Sequence, residues 1–524
     1  MSDVSETLKS WLSLLAPLRA IIVQCAAIFL ISVLWQQRWG TIVDTSWLIT
    51  ESERFLAGER LYIDLLENNP PFTIWLFLPA MLTSHWIGIS PEVAIAFYTW
   101  LAVTIGLALA TVTICKADFV EGRALLRQLP LFVGLFVIFP GIAFTERDHL
   151  GTALFLPLLA LMAWRAEEKS PAVPGIGLVV AVALSGSVLV LLKPYYILAY
   201  IAPVLYVAWR RKNLMALIAP ENCIIAVTGV AYIALIFWLN PEFIQIILPQ
   251  VADVYMASGD SAKVALHYAP AYAAILLLIW LVAPGERMTP LGTVATLASL
   301  ASLAALIYQG KGWAYHAFPA ISLAFVAVLC RIAASPAWRR DRATLGRLGL
   351  CLLVIVCTWR PFLETQKPSA DFVAAVKAVS TATSRLGFIG SDMAGAHPLT
   401  RMVGTRFPSK NNADWFGSLA FGLSQQAADV GDTAGAAKYE ELSKAYLDEK
   451  YDEFVRFNYD LIVVEEDEPI WTNYVLGQPR FAALLSAYHI VAKGDRVSVY
   501  NRVSGKSEIL HGPTKTSETT ILSD

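Results

Sequence analysis

The sequence predicts a polytopic α-helical membrane protein with a small α/β domain at its C-terminal end, and three observations predict it. Of 524 residues, 56% are hydrophobic and only 16% charged, where a soluble globular protein carries about a quarter charged residues. The apolar residues gather into blocks of roughly 17–25, the length that spans ~30 Å of hydrocarbon as a helix. Lys and Arg concentrate in alternate connecting loops, as orientation in a membrane requires. A net charge of −2 offers no basic field for nucleic acid. Cys25, Cys115, Cys223, Cys330, Cys351 and Cys357 lie in or beside apolar blocks, with no CxxC or other metal-ligand spacing.

Twelve apolar blocks are visible: 18–36, 71–88, 92–115, 130–144, 149–164, 173–192, 195–209, 222–239, 268–284, 288–308, 316–334 and 344–360. The first lacks a small-residue cleavage site and reads as a retained signal anchor over Leu18–Trp35. If all twelve span, the loop carrying Lys116, Arg123 and Arg127 falls on the outer side, against the inward bias of positive charge. Removing block 71–88, which follows Pro70-Pro71 and contains Ser84 and His85, restores the parity. Eleven spans then remain, with the N-terminus cytoplasmic, the C-terminus outside and block 71–88 lying along the outer interface. The cytoplasmic loops hold Arg165 and Lys169, Arg210, Arg211 and Lys212, and Arg339, Arg340 and Arg342. The outer segments are 37–91, 145–148, 193–194, 240–267, 309–315 and everything after 361.

Residues 1–363 form the transmembrane module on this reading. Residues 364–505 alternate helical patterns (Ala370–Thr383, Ala436–Phe457, Trp471–Tyr488) with short apolar runs (Leu386–Ile389, Leu461–Val464, His489–Val491, Val497–Tyr500). That alternation predicts a small α/β domain. The polar residues 506–524 read as a disordered tail.

The chemistry-bearing residues cluster in the outer segments. Asp44 sits at the mouth of the first span, where a carboxylate beside hydrocarbon is a functional candidate. Its position also suits the N-cap of a helix over Thr45–Leu56. Glu51 and Glu53 read as a solvated helix face, with Glu51 and Arg54 placed to pair. Glu67-Asn68-Asn69-Pro70-Pro71 follows. The second outer loop packs Glu146, Arg147, Asp148 and His149 into one short turn, either a charged turn anchored by headgroups or a site. Lys193, beside Tyr195 and Tyr196, and Lys311, beside Tyr315 and His316, are cations at outer span ends and need anionic partners. Phosphate is the natural partner for such lysines; snorkelling to lipid headgroups is the alternative, and His316 alone would read as a structural histidine.

Together these features resemble the GT-C glycosyltransferases, the polyprenyl-phosphate-sugar-dependent enzymes related to protein mannosyltransferases and lipid A aminoarabinose transferase. The resemblance rests on Asp44 after the first span, the Gly58–Tyr62 turn, Glu67-Asn68-Asn69-Pro70-Pro71, the Glu146–His149 loop and the trailing α/β domain. It covers nearly the whole chain and is one of architecture. It implies a multi-pass protein of the bacterial inner membrane with a periplasmic active site. There an inverting enzyme would move a sugar from a polyprenyl-phosphate-linked donor to a glycan, lipid or protein acceptor. Asp44 would be the catalytic base, and Asp148 or Glu146 would position the acceptor or hold a cation. Arg147, His149, Glu67, Asn69, Lys193, Tyr195, Lys311, Tyr315 and His316 would bind substrate. Asp44 lacks the acidic neighbour that several relatives show, which weakens the case for a divalent cation (Mg or Mn) and leaves Asp44 the lone base of its motif.

Three other readings compete. An oligosaccharide polymerase or ligase would rely on Arg and His in a long later loop, but 240–267 offers Glu242, Asp253, Asp260, Lys263 and His267 and no Arg. A lipid-linked glycan transporter would place ionisable residues at mid-span and repeat its halves, and neither is visible. A non-catalytic scaffold for envelope assembly is a third.

Overall fold

The computed structural model describes residues 2–40, 42–167, 173–335, 342–365, 367–467 and 469–503. Lys169, Arg339, Arg340 and the tail 506–524 lie outside the described residues. The chain forms two compact units. The first comprises Met1–Gly40, Asn69–Gln245 and Gly259–Thr365; the second comprises Thr41–Asn68, Ile246–Ser258 and Gln366–Asp524. The first outer loop is therefore divided, with Asp44 and Glu67 in the second unit and Asn69 in the first.

Among the described residues, eight helices of the first unit are long and apolar enough to cross a membrane. They are Leu18–Gln36, Pro91–Ala117, Arg147–Ala166, Pro220–Leu239, Ser261–Leu281, Pro290–Gln309, Ala314–Ala334 and Thr344–Phe362. Three further expected spans form shorter helices. Ile176–Leu192 and Ile197–Arg211 have 17 and 15 residues, about 25 and 22 Å of helix, and Leu129–Val137 has 9. Block 71–88 is broken into Phe72–Trp75 and Leu78–Ile87, so no single helix there is long enough to span.

Close helix approach explains the packing. A Cβ on Gly106 would lie 2.2 Å from the Ala153 carbonyl oxygen, and one on Gly186 would lie 2.5 Å from Leu158. Small residues at such crossings let backbones meet where no hydrophobic force acts between helices. The end of Leu129–Val137 shows how a short helix is tolerated at membrane depth, where every carbonyl needs a donor. Phe136 O takes His149 Nε2 at 2.8 Å, Val137 O takes Gln36 Nε2 at 2.7 Å, Ile138 O takes Trp35 Nε1 at 3.0 Å and Phe139 O takes Trp359 Nε1 at 2.8 Å.

The second unit holds a four-stranded sheet of strands β1 (Leu386–Ile389), β2 (Leu461–Glu465), β3 (Tyr488–Lys493) and β4 (Val497–Arg502), in the order β1-β2-β4-β3. β1 and β2 are parallel; β4 pairs antiparallel with both β2 and β3. All four runs expected as strands are strands. The expected helix Trp471–Tyr488 is instead two, Pro469–Leu476 and Pro479–Leu485, because Pro479 has no N–H to continue the first. Helix Trp415–Asp429 has no counterpart among the expected patterns. Its Gly417 is poor in helix propensity, yet a Cβ there would strike Tyr446 at 2.3 Å, so tertiary packing sets that helix.

Candidate active site

In the first unit, three turns bring their polar residues into one largely buried cluster. The second outer loop turns through Thr145, which has φ of 74°, and starts helix Arg147–Ala166 with Glu146 at its N-cap. Glu146, Arg147, Asp148 and His149 are all buried, at 0%, 3%, 0% and 0% exposure. They are not a solvated turn. Ile176–Leu192 stops at Lys193, whose backbone is extended because Pro194 follows. That break turns the lysine inward. Its Nζ lies 3.0 and 3.2 Å from the two Asp148 carboxylate oxygens, and the Tyr196 hydroxyl donates to Asp148 Oδ1.

This network revises two expectations. The anionic partner that Lys193 needs is Asp148 itself, so Lys193 does not require a phosphate to be stable where it is. Asp148, with both oxygens engaged by protein groups, positions the lysine rather than presenting a bare carboxylate to an acceptor or a cation. A buried pair of this kind is held by its geometry, since the desolvation of both charges offsets most of their attraction. Tyr196, not the Tyr195 expected to bind substrate, is the tyrosine that reaches Asp148. The Lys-Pro-Tyr-Tyr run contained both, and only the short turn Pro194–Tyr196 decides which hydroxyl faces Asp148. Tyr195 is half-buried, its ring 5.1 Å from that of Tyr196.

His149 also departs from its expected substrate role. Its Nε2–H caps the Phe136 carbonyl, and its ring is enclosed by Phe136, Phe144 and Phe318 at 6.4, 5.6 and 5.0 Å. It is a structural histidine that secures the end of Leu129–Val137.

The third turn, between Pro290–Gln309 and Ala314–Ala334, supplies Lys311, Tyr315 and His316. Gly310 and Gly312 have φ of 66° and 72°, a left-handed backbone that glycine adopts without strain. His316 is buried, with Nε2 3.3 Å from Gln309 Nε2 and its ring 4.3 Å from Tyr315 and 5.2 Å from Trp313. Lys193 Nζ stands 5.5 Å from the centre of the Tyr315 ring. Arg147 adjoins Asp148 in the chain, and Lys311 lies in the same turn that leads into Tyr315 and His316. Burial holds the Lys311 ammonium down to about 8, because taking a cation out of water favours its neutral form. Arg147, Asp148, Lys193, Tyr195, Tyr196, Lys311, Tyr315 and His316 thus share one region, rich in cations and hydroxyls, and chemically suited to an anionic group. Among the described residues, no group of three or more His, Cys, Asp or Glu side chains is placed to hold a metal ion. The donors that do converge are mostly cationic and do not suit one.

In the second unit, Asp44 lies within the first turn of helix Val43–Leu56, whose N-cap is Ile42 with no side-chain cap bond. The expected N-cap role therefore falls away; Asp44 instead faces the positive end of the helix dipole. The helix is fixed at its far end. Arg54 donates to the carbonyls of Phe407, Pro408 and Ser409 at 3.1, 3.2 and 2.6 Å and to the Glu59 carboxylate at 2.6 Å. The Arg54–Glu51 pair expected from helical spacing does not form, and Glu51 is buried rather than solvated. Arg401 pairs with Glu53 at 2.6 Å, and buried Trp47 packs on His397 and Phe407. Glu67 is buried, and Leu66 N–H donates to Lys410 O at 2.9 Å. Asn69, in the first unit, is half-buried.

The fold is polytopic and α-helical, with a small C-terminal α/β domain. It is similar to the crystal structure of ArnT from Cupriavidus metallidurans in the apo state, with a TM-score of 0.54 at 13% identity, covering 93% of this chain and 99% of that one. At that identity the likeness is one of fold. No family model and no curated protein matches the sequence.

Proposed function

We propose that the protein is a membrane glycosyltransferase of GT-C type, moving a sugar from a polyprenyl-phosphate-linked donor to an envelope glycan, lipid or protein acceptor on the periplasmic face of the bacterial inner membrane. The observation that carries this reading is the cluster of buried Arg147, Lys193, Tyr196 and His316 with half-buried Lys311 at one end of the spans, in a fold similar to that of ArnT. ArnT is the lipid A aminoarabinose transferase, and a lipid-linked donor suits a site at the membrane surface.

Asp44 is assigned the role of base. Its carboxylate takes the proton of the acceptor hydroxyl or amine as the acceptor bonds to the anomeric carbon. The bond from that carbon to the carrier phosphate breaks, and its electron pair stays on the phosphate oxygen. Arg147 and Lys311 are assigned to that growing negative charge. Asp148 and Tyr196 hold Lys193 in place, and Glu146 is assigned to the acceptor.

The test is transfer by purified protein in liposomes holding radiolabelled polyprenyl-phosphate sugars, with envelope extracts as acceptor. Label should leave the prenyl carrier, and Arg147→Ala should slow its loss. A carrier that keeps its label with every sugar and extract offered would contradict the assignment.

A further inference from the structure

Helix Arg147–Ala166 begins in the candidate site and reaches Arg165 at its other end, about 26 Å from Asp148 along the axis at ~1.5 Å per residue. A polar cavity of about 240 Å³ opens there, among the ends of Arg147–Ala166, Ile197–Arg211 and Pro220–Leu239. One water needs only ~10–15 Å³ of such space, so the cavity has room for a polyatomic group. The floor is the Arg165–Glu221 pair, with Nε and Nη2 of the arginine 2.8 and 2.9 Å from the two carboxylate oxygens. That pair is self-neutralising. The rim carries Arg211, which is exposed and reaches the Glu167 carbonyl at 3.5 Å. One long contact leaves most of its five donors uncommitted among the described residues. Asn213 lines the same opening, its Oδ1 accepting from Met215 N–H at 2.9 Å, which leaves its amide hydrogens for another acceptor.

The surroundings fix what kind of anion comes here. Leu214, Met215 and Ile218, on the short turn Leu214–Ile218, are 77%, 64% and 59% exposed, and Trp209 is 73% exposed. Large apolar side chains turned outward beside Arg210, Arg211 and Lys212 mark a segment lying at the boundary of headgroups and acyl chains. Basic pockets between spans at that depth bind anionic headgroups.

We propose that this cavity binds the phosphate of an anionic phospholipid, with Arg211 and Asn213 donating to its oxygens and the turn Leu214–Ile218 lying against its acyl chains. The site is separate from the proposed transfer chemistry and does not depend on it.

The experiment is native mass spectrometry of the full chain, titrated with phosphatidylglycerol or phosphatidylcholine in detergent. Wild type should take up phosphatidylglycerol saturably and at least tenfold more tightly than phosphatidylcholine. Arg211→Glu should weaken the phosphatidylglycerol affinity about tenfold or more, while Arg123→Glu, the same charge change at an exposed residue away from the cavity, should stay within about twofold. Equal affinities in Arg211→Glu and wild type, or equal losses in the two variants, would overturn the site. Millimolar inorganic phosphate that displaces the lipid would overturn the lipid assignment in favour of free phosphate.

Discussion

The buried Asp148–Lys193 pair gives the sharpest mutational prediction. Both side chains are essentially inaccessible, and the lysine bonds both carboxylate oxygens while Tyr196 donates to one of them. Lys193→Met leaves a carboxylate charge buried with a tyrosine alone, and Asp148→Asn leaves an ammonium without its counter-charge. Each should cost about 3–5 kcal/mol, the usual penalty for an uncompensated buried charge. At ~2–4 °C per kcal/mol for a large domain, thermal midpoints in detergent should fall by about 6 °C or more. Large membrane proteins often unfold irreversibly, so variants are compared at one scan rate. The double variant removes both charges and keeps an acceptor for Tyr196, so it should recover at least half of the loss. Single variants that melt with wild type, or a double variant as unstable as the two losses added, would refute the claim that the pair is buried and mutually dependent.

Other predictions follow from the same geometry. Arg54→Met removes the donors that bind three carbonyls of 407–409; losing about 1.5–3 kcal/mol of charged hydrogen bonding should speed hydrogen exchange in Val43–Leu56 roughly tenfold to a hundredfold, and unchanged exchange would contradict the anchoring. Burial lets the Lys311 proton leave near pH 8, so the cation is present below that pH and lost above it. If Lys311 binds the donor phosphate, kcat/KM should fall above about pH 8, and Lys311→Arg, always charged, should move that limb upward by two units or more; a limb that does not move removes Lys311 from the site. Gly106→Ala should destabilise the bundle by about 1–3 kcal/mol, measured as a lower thermal midpoint, because its new methyl meets the Ala153 carbonyl.

Much of the fold was legible in the sequence because it is written in long patterns. Apolar blocks of span length and strand-length runs each average over many residues, so block 71–88 was set apart by loop charge and is indeed broken. Shorter features were less legible. Where Leu129–Val137 ends, the carbonyls of residues 136–139 are taken by Trp35, Gln36, His149 and Trp359, which lie far apart in sequence. The site shows the same limit. The charged residues were visible as a class, since ionisable groups at span ends are costly. Their individual roles depended on rotation and contact: Lys193 found Asp148, Tyr196 displaced Tyr195, and His149 turned to a backbone carbonyl. Arg54 bound Glu59 and a loop some 350 residues away rather than Glu51 three residues back.

The central claim is that the chain transfers sugars with Asp44 as base. The most direct measurement compares wild type and Asp44→Asn in liposomes carrying radiolabelled polyprenyl-phosphate sugar, with donor binding followed in parallel. Loss of general-base catalysis is worth about 10²–10⁴-fold, so transfer by the variant should drop by at least a hundredfold while donor binding stays within a few-fold of wild type. Transfer by Asp44→Asn at the wild-type rate would contradict it.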